Sequence, residues 1–175
     1  ESSAASDVYK RQGLSFNQSC TIGIGGDQLS SEEMKLANQL CFSAYNVNRL
    51  FGKFYEHQLK PFKLTFSQYL VLLTLWEDNP QNLQSIGRRL DLGSNTLTPL
   101  LKRLEATGWI KREKSETDKR HLLVSLTEKG HREQEAIHEA ISECIASKFD
   151  LDEYLKAKET MDKLEETLKN ITKDE

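Results

Sequence analysis

Cys41 is the residue of this sequence that could carry the most specific chemistry. It lies at the border of an apolar stripe on a predicted helix, with Tyr45 one turn further on and Arg49 one turn beyond that. A phenol donor and a guanidinium beside a thiol favour its thiolate, the form that reacts with peroxides. A cysteine on an apolar helix face can equally be a small core residue, and the pattern alone leaves both interpretations open.

The cysteines and histidines do not have the spacing of a metal site. Neither CxxC nor a Cys/His ligand pattern occurs among Cys20, Cys41, Cys144, His57, His121, His131 and His138. We therefore predict no structural zinc and no cofactor.

The apolar stripe around Cys41 predicts a first long helix over residues 31–59, which ends before Pro61. A capping box at Thr65–Gln68 then predicts a second helix over residues 66–77. The stretch Tyr69–Trp76 is apolar enough that a buried strand remains an alternative.

Two further helices are predicted on either side of a break at Leu92–Gly93. The second runs from about Ser94 to Thr107 and is ended by Gly108. Its apolar face is predicted to pack inward and consists of Leu97, Leu100, Leu101 and Leu104. Because proline is best tolerated in the first turn of a helix, Pro99 indicates that the cap lies at Ser94–Thr96.

The opposite face of this helix is polar. It carries Asn95, Thr98 and Lys102, and such a face suits DNA because amide and hydroxyl groups contact bases while lysine neutralises phosphate. Two predicted strands follow, at residues 109–112 and 122–126, with a charged tip at residues 113–121 between them. This order is typical of a winged helix-turn-helix, although a packing helix beside a solvated hairpin is the simpler alternative.

The distribution of charge supports a DNA contact at this segment. Residues 81–120 contain nine basic and five acidic side chains, so they carry +4, whereas the rest of the chain carries −7 within a total of −3. The local basic patch determines DNA affinity, and an acidic remainder limits non-specific binding. No run approaches the ~18 apolar residues of a membrane span and no signal-peptide pattern occurs, so we expect a cytoplasmic location.

The fold class predicted from these elements is mainly α with a small β-wing. We expect a disordered or non-native tail at residues 1–31, an N-terminal dimerisation helix at 32–62, a winged helix-turn-helix DNA-binding domain at 63–126 and C-terminal dimerisation helices at 127–175. A module of this size cannot cover all the amphipathic helices around it, so we expect an obligate homodimer. A twofold dimer sets two recognition helices about one DNA turn apart, ~34 Å, which suits a palindromic operator.

Several strings of this sequence resemble the MarR regulators and, within them, the organic-hydroperoxide regulator branch (OhrR). They are Asn38–Phe42, Leu64–Leu73, Leu75–Glu77, Leu97–Glu105, Asp118–Arg120 and Ser125–Glu128. The Asn-Gln-Leu-Cys-Phe string is specific to the branch, and the others are shared more widely in the family.

The resemblance implies a role for each cysteine. Cys41 matches the peroxide-sensing cysteine, which is oxidised to a sulfenic acid. Tyr55 matches one of two tyrosines that hydrogen-bond the thiol, whereas the other position holds Phe66, so Tyr45 or Tyr69 would have to compensate. Cys144 lies in the helix of the resolving cysteine, about two residues earlier than expected. A buried interface cysteine is the alternative for Cys144.

The resemblance also implies the DNA contacts. Ser94, Thr96, Thr98 and Pro99 match the recognition helix, and Asp118 and Arg120 match the wing tip, whose arginine enters the minor groove. Gly93 and Asn95 replace the usual Asp and Gly, so the base preference can differ. The full predicted set is Ser94, Asn95, Thr96, Thr98, Pro99, Lys102, Arg103, Arg112, Lys114, Asp118, Lys119 and Arg120.

The function predicted from the sequence is a redox-sensing repressor rather than an enzyme. Oxidation of Cys41 by an organic hydroperoxide would release double-stranded operator DNA from the homodimer. One alternative is a MarR-type repressor released by a small aromatic ligand, with Cys41 structural. A thiol peroxidase is another, but it would leave the polar helix face and the basic wing without a purpose.

Overall fold

The computed structural model describes residues 34–114 and 122–173. The chain divides into two compact units, residues 1–43 and residues 44–175. The predicted tail at 1–31 and most of the predicted wing tip lie outside the described residues. The elements, in order, are α1 (Leu40–Leu59), α2 (Phe66–Glu77), β1 (Gln81–Asn82), α3 (Leu83–Leu90), α4 (Ser94–Ala106), β2 (Ile110–Lys114), β3 (Leu122–Leu126), α5 (Glu128–Arg132), α6 (Gln134–Lys148) and α7 (Leu151–Lys173).

Helix α1 begins later than the sequence predicts. Residues Leu36–Asn38 form a 3₁₀ turn, and Gln39 is extended, with φ −82° and ψ 126°. The Gln39 N–H closes that turn by donating to the Leu36 carbonyl at 3.2 Å. The predicted start of α1 at residue 31 was wrong because apolar spacing shows only which residues share a face. It does not show that the backbone hydrogen bonds of a helix are continuous along them. Cys41 consequently lies in the first turn of α1.

Helix α2 forms as the capping box predicts, and the strand alternative is wrong. The Gln68 N–H donates to Thr65 Oγ1 at 3.3 Å, and the Thr65 N–H donates to Gln68 Oε1 at 2.8 Å. Leu64 and Tyr69 flank the capping box at the positions of a hydrophobic staple, and both are buried. The helix ends at Glu77, as the following Asp78-Asn79-Pro80 predicts.

Helix α4 has the predicted apolar face but a different start. Leu97, Leu101 and Leu104 are fully buried. The cap is Gly93 rather than a side chain of Ser94–Thr96, so Pro99 lies in the second turn of the helix. Proline has no N–H, so the carbonyl of Asn95, four residues earlier, loses its helical donor. Asn95 and Pro99 are both exposed, so solvent can hydrogen-bond this carbonyl. Gly108 follows the helix with a left-handed φ of 75°.

The predicted ribbon is part of a three-stranded antiparallel sheet with the order β1–β3–β2. Strand β3 has the predicted bounds, whereas β2 starts at Ile110 and reaches Lys114 rather than spanning 109–112. In the register, Ile110 pairs with Leu126 and Gln81 with Val124. Strand β1 was missed because two residues are too few to show a period.

The apolar residues Ile137, Ile141 and Ile145 predict one helix that is capped by Thr127 and runs to about Lys148. The structure instead divides this segment into α5 and α6 at Glu133. Thr127 caps α5 as predicted, because its Oγ1 accepts from the Gly130 N–H at 3.2 Å. A Cβ on Gly130 would lie 2.4 Å from the Trp109 carbonyl oxygen, so only glycine lets α5 approach the sheet this closely. Helix α7 starts at Leu151 after Asp150, whose Oδ1 accepts from the Glu153 N–H at 3.0 Å.

The fold class predicted from the sequence, a mainly helical winged helix-turn-helix with a small sheet, is confirmed. The core contains Leu72, Leu75, Ile86 and Trp109 together with the leucines of α4. None of the helices in the described part of the chain is long and apolar enough to cross a membrane.

We expect Gly130→Ala to destabilise the protein by about 1–3 kcal/mol, because the added methyl group must displace backbone rather than a flexible side chain. Urea unfolding at a fixed protein concentration measures this difference. Gly52→Ala is the matched control, since no atom lies within 4 Å of the Cβ that it would add. Equal stability of Gly130→Ala and wild type would show that α5 can move away from the sheet at little cost.

Candidate redox site and nucleic-acid interface

Cys41 is exposed in the protomer. It is the second residue of α1, and its thiol is not part of the buried core. This position does not fit the interpretation of Cys41 as a small core residue. Tyr45, which was predicted to lie near the thiol, is also exposed, with 63% of its surface accessible.

A cluster of aromatic rings joins α1 to α2. The ring of Tyr55 stacks on Phe66 at 4.6 Å and on Tyr69 at 5.6 Å between centroids. Burial raises the pKa of Tyr55 to about 12, and burial also raises the pKa of Tyr69. Tyr55 therefore stays protonated at neutral pH and can act as a hydrogen-bond donor. Phe66 supplies a ring to this stack, and Tyr69 supplies a second phenol.

Tyr154 of α7 belongs to the same cluster and was missed by sequence reasoning. It lies near Tyr55 and helps to raise the pKa of that phenol. Its ring lies 5.6 Å from that of Phe149, which in turn lies 6.0 Å from Phe54. The apolar repeat of α7 runs through Ala157 and Met161, and one step of three residues toward the start of the helix reaches Tyr154.

Cys144 is buried on α6, with 9% of its surface exposed. Ile141 on the same helix is buried as well, and Ile145 packs against the core. The Cys144 carbonyl accepts from Ser147 Oγ at 3.1 Å. A thiol in this position cannot meet a sulfur from outside the protomer unless α6 or its surroundings move.

The predicted DNA-contacting face of α4 is accessible. Its exposed side chains lie on the side of the helix away from the buried leucines, and they are Ser94, Asn95, Thr96, Pro99, Lys102 and Arg103. Thr98 is half-buried, and Lys114 is exposed at the end of β2. Asp118, Lys119 and Arg120 lie outside the described residues, so their predicted roles stay predictions.

Arg112 is bound to Glu105 within the protomer. Its backbone N–H donates to Glu105 Oε1 at 3.0 Å, and its Nε donates to Oε2 at 2.9 Å. A further contact joins Arg112 Nη2 to the same Oε2. The pair fixes β2 against the end of α4, so Arg112 acts first as a positioning residue for the wing. Glu105 was missed, although an acidic residue in the last turn opposes the helix dipole and could have signalled a partner.

We expect Glu105→Gln to remove a pH-dependent contribution to stability. The hydrogen bonds from Arg112 hold the pKa of Glu105 below its usual value of 4.5, so the folded chain keeps this carboxylate charged where the unfolded chain has already bound a proton. The contribution is therefore complete above the usual value and is lost as the pH falls through the lower pKa of the folded state.

Urea unfolding of wild type and Glu105→Gln between about pH 3 and pH 7 measures the effect. The difference between their free energies of unfolding should shrink as the pH falls. Glu113→Gln is the control, because Glu113 is an exposed carboxylate next to Arg112 on β2. A difference that is independent of pH would contradict the expectation.

Comparison with known proteins places the chain in a family. The family described as transcriptional regulator SarA/Rot matches residues 53–139. The organic hydroperoxide resistance transcriptional regulator of Bacillus subtilis is 48% identical over 99 residues, which cover 57% of this chain and 67% of that protein. The HTH-type transcriptional regulator TtmR of Methylorubrum extorquens is 42% identical over 120 residues, covering 66% of this chain and 62% of its own length.

The solved structures of AbfR are also similar to this chain. Reduced AbfR bound to DNA superposes with a TM-score of 0.74 at 61% identity, covering 81% of this chain and 97% of AbfR. AbfR, from Staphylococcus epidermidis, has also been solved as an overoxidized form bound to DNA and as a disulfide form. Together with the winged helix-turn-helix described above, these relatives establish that the chain belongs to the MarR family of transcriptional regulators and is an OhrR-like member of it.

Proposed function

We propose that this regulator is a homodimeric repressor that releases its operator when organic hydroperoxides oxidise Cys41. The observation that carries the proposal is the exposure of the Cys41 thiol in the first turn of α1. An exposed thiol can meet a dissolved oxidant, whereas a core cysteine cannot. The similarity to a hydroperoxide resistance regulator supports the choice of oxidant.

The DNA-binding domain corresponds to residues 63–126, and its recognition helix is α4. Ser94, Asn95 and Thr96 at the start of α4 suit base edges, and Lys102 and Arg103 further along suit phosphates. Buried leucines hold this helix, so its polar face has a fixed direction. The DNA-bound structures of AbfR support this assignment.

A second copy of the chain is the proposed partner of α1 and α7. In the described part of α7, Leu155, Met161, Leu168 and Ile171 are exposed, and none of its residues is buried. On α1, Val47 and Leu50 are exposed as well. An apolar surface of this extent is costly in a monomer and is typical of a dimer interface. Residues 32–62 and 127–175 are therefore the proposed dimerisation helices.

The proposed chemistry has two steps. The Cys41 thiolate attacks one peroxide oxygen, the O–O bond breaks, and the products are a sulfenic acid at Cys41 and an alcohol, which takes up the proton. The Cys144 thiol of the partner protomer then displaces the sulfenic hydroxyl as water and leaves an intersubunit disulfide. Tyr55, with Tyr69 and Tyr154 beside it, is the proposed phenol donor to the thiolate, and Tyr45 is a second candidate.

The burial of Cys144 links the disulfide to DNA release. Because the thiol is covered within the protomer, forming the disulfide must shift α6 or the elements around it. Two recognition helices that fit one duplex lose their spacing when the subunits rotate. AbfR was solved on DNA in an overoxidized form, which supports a mechanism in which the disulfide rather than the first oxidation causes release.

We expect Cys41→Ser to keep its affinity for operator DNA and to stay bound in cumene hydroperoxide, because the oxidisable sulfur is absent. Wild type should be released under the same conditions and should rebind after dithiothreitol, which a gel-shift assay measures.

Cys144→Ser should give no covalent dimer on a non-reducing gel, and in the gel-shift assay it should remain on the operator. Release of Cys41→Ser by peroxide would exclude the sensor role. Release of both wild type and Cys41→Ser from the operator by an aromatic acid, without peroxide, would favour the ligand-operated alternative.

We expect Lys102→Ala to weaken binding to all DNA sequences by a similar factor, because Lys102 is proposed to contact phosphate. Two protomers each lose one phosphate contact, so the slope of log K against log salt should become shallower by about 2. Fluorescence anisotropy at several salt concentrations measures the slope. Lys148→Ala, at the exposed end of α6, is the control and should leave the slope unchanged. An unchanged slope for Lys102→Ala would place Lys102 away from the DNA backbone.

A further inference from the structure

Trp76, in the last turn of α2, contacts a residue of its own helix and two other helices. Its ring lies 6.1 Å from that of Tyr69 in an edge-to-face arrangement, and Tyr69 in turn stacks on Tyr55. Its other neighbour is the ring of His138 on α6 at 5.0 Å. Its indole Nε1 donates a hydrogen bond of 2.9 Å to the carbonyl of Gly130. Trp76 therefore joins the tyrosine cluster to the short helix α5.

The Gly130 carbonyl is one that α5 itself cannot satisfy. A helix leaves its last four carbonyls without an internal donor, and Gly130 is the third of the five residues of α5. Trp76 supplies this donor from α2. Its N–H thus fixes the position of α5 relative to α2, in addition to filling space.

The segment 127–130 is in turn bonded to the end of the recognition helix. Thr127 Oγ1 lies 2.6 Å from the Gly108 carbonyl oxygen, and the Thr127 N–H donates to the Trp109 carbonyl at 3.0 Å. Lys129 Nζ donates to the Thr107 carbonyl at 2.9 Å and lies 4.4 Å from the centre of the Trp109 ring. Residues 107–109 follow α4 directly, so a displacement of α5 would also displace the end of α4.

These contacts form an unbroken series from Tyr55 through Tyr69, Trp76 and Gly130 to the end of α4. We infer that Trp76 is a positioning residue that couples the tyrosine cluster to the recognition helix, so that a rearrangement around Tyr55 changes how α4 meets DNA. The inference rests on the proposed function, because it needs an oxidation event that disturbs the cluster. It assigns to Trp76 a role in transmitting the change rather than in the thiol chemistry.

The test is Trp76→Phe, which keeps a ring against Tyr69 and removes the N–H that binds Gly130. The ratio of operator dissociation constants for the oxidised and the reduced protein measures the coupling. We expect reduced Trp76→Phe to bind the operator within about threefold of wild type, and the ratio to fall at least about fivefold. The yield of covalent dimer after cumene hydroperoxide should match that of wild type.

The reduction potential gives a second readout that a merely structural role would not move. Binding free energies are coupled reciprocally, so operator DNA, which prefers the reduced protein, must raise the midpoint potential of the cysteine pair. The rise should be smaller in Trp76→Phe than in wild type.

Lys129→Gln breaks the same series of contacts at its other end and should show the same loss of coupling. His138→Gln is the matched control, because it removes a neighbour of Trp76 that does not bond to residues 107–109, and it should keep the wild-type ratio.

The outcomes separate the two proposals. If wild type binds the operator equally well when oxidised and reduced, the proposed function is wrong and the role of Trp76 is overturned with it. If wild type responds and Trp76→Phe responds with the same ratio and the same shift in potential, only the role of Trp76 is overturned. A loss of coupling in His138→Gln as large as in Trp76→Phe would also overturn it, since the effect would then be general packing.

Discussion

The burial of one side of the recognition helix is the constraint on which the rest of the structure depends. Leu97, Leu101 and Leu104 are fully buried, and each contributes about 1.5–3 kcal/mol relative to an exposed position. Rotation of α4 about its axis would expose these side chains, so the polar face keeps a single direction within the protomer. The Glu105–Arg112 pair and the bonds from Thr127 and Lys129 hold the other end of the same helix. A helix fixed in this way responds to a signal only when the elements that hold it move as a body. That property is what a two-state DNA-binding switch requires.

The proposed signal begins at the thiol of Cys41, whose surroundings differ from those of its proposed partner, Cys144. Cys41 is open to solvent in the protomer, whereas Cys144 is covered by the core. The open thiol can meet an oxidant, and the covered one reacts only after the structure has changed. The structure also contains two phenols, Tyr55 and Tyr69, whose pKa values are raised by burial, so that they remain donors over the physiological pH range. The proposed mechanism therefore assigns the conformational change to the second step, the formation of the disulfide.

Local sequence signals predicted most of the fold because they depend on neighbouring residues. The capping box at Thr65, the leucine spacing of α4 and the alternation of β3 each determine a structure within a few residues. The errors occur where distant contacts decide. Strand β1 exists only because Gln81 and Asn82 pair with β3, and the position of α5 depends on the close approach of Gly130 to Trp109. Among the candidate site residues, Cys41 and the polar face of α4 were found from residue type and spacing. Tyr154 and Trp76 were missed because their roles come from partners that are remote in the sequence, and Glu105 was missed because its partner Arg112 belongs to another element, β2.

The measurement that tests the central claim most directly is made on a mixed dimer of one Cys41→Ser protomer and one Cys144→Ser protomer. This dimer retains a single Cys41 that faces a Cys144 on the other chain, whereas each parent homodimer lacks one of the two sulfurs at every site. After cumene hydroperoxide, we predict a covalent heterodimer with a Cys41–Cys144 linkage by mass spectrometry, together with loss of operator binding. Both parent homodimers should remain non-covalent and bound. Operator release from a parent homodimer, or a covalent mixed dimer that still holds the operator with full affinity, would contradict the link between this disulfide and DNA release.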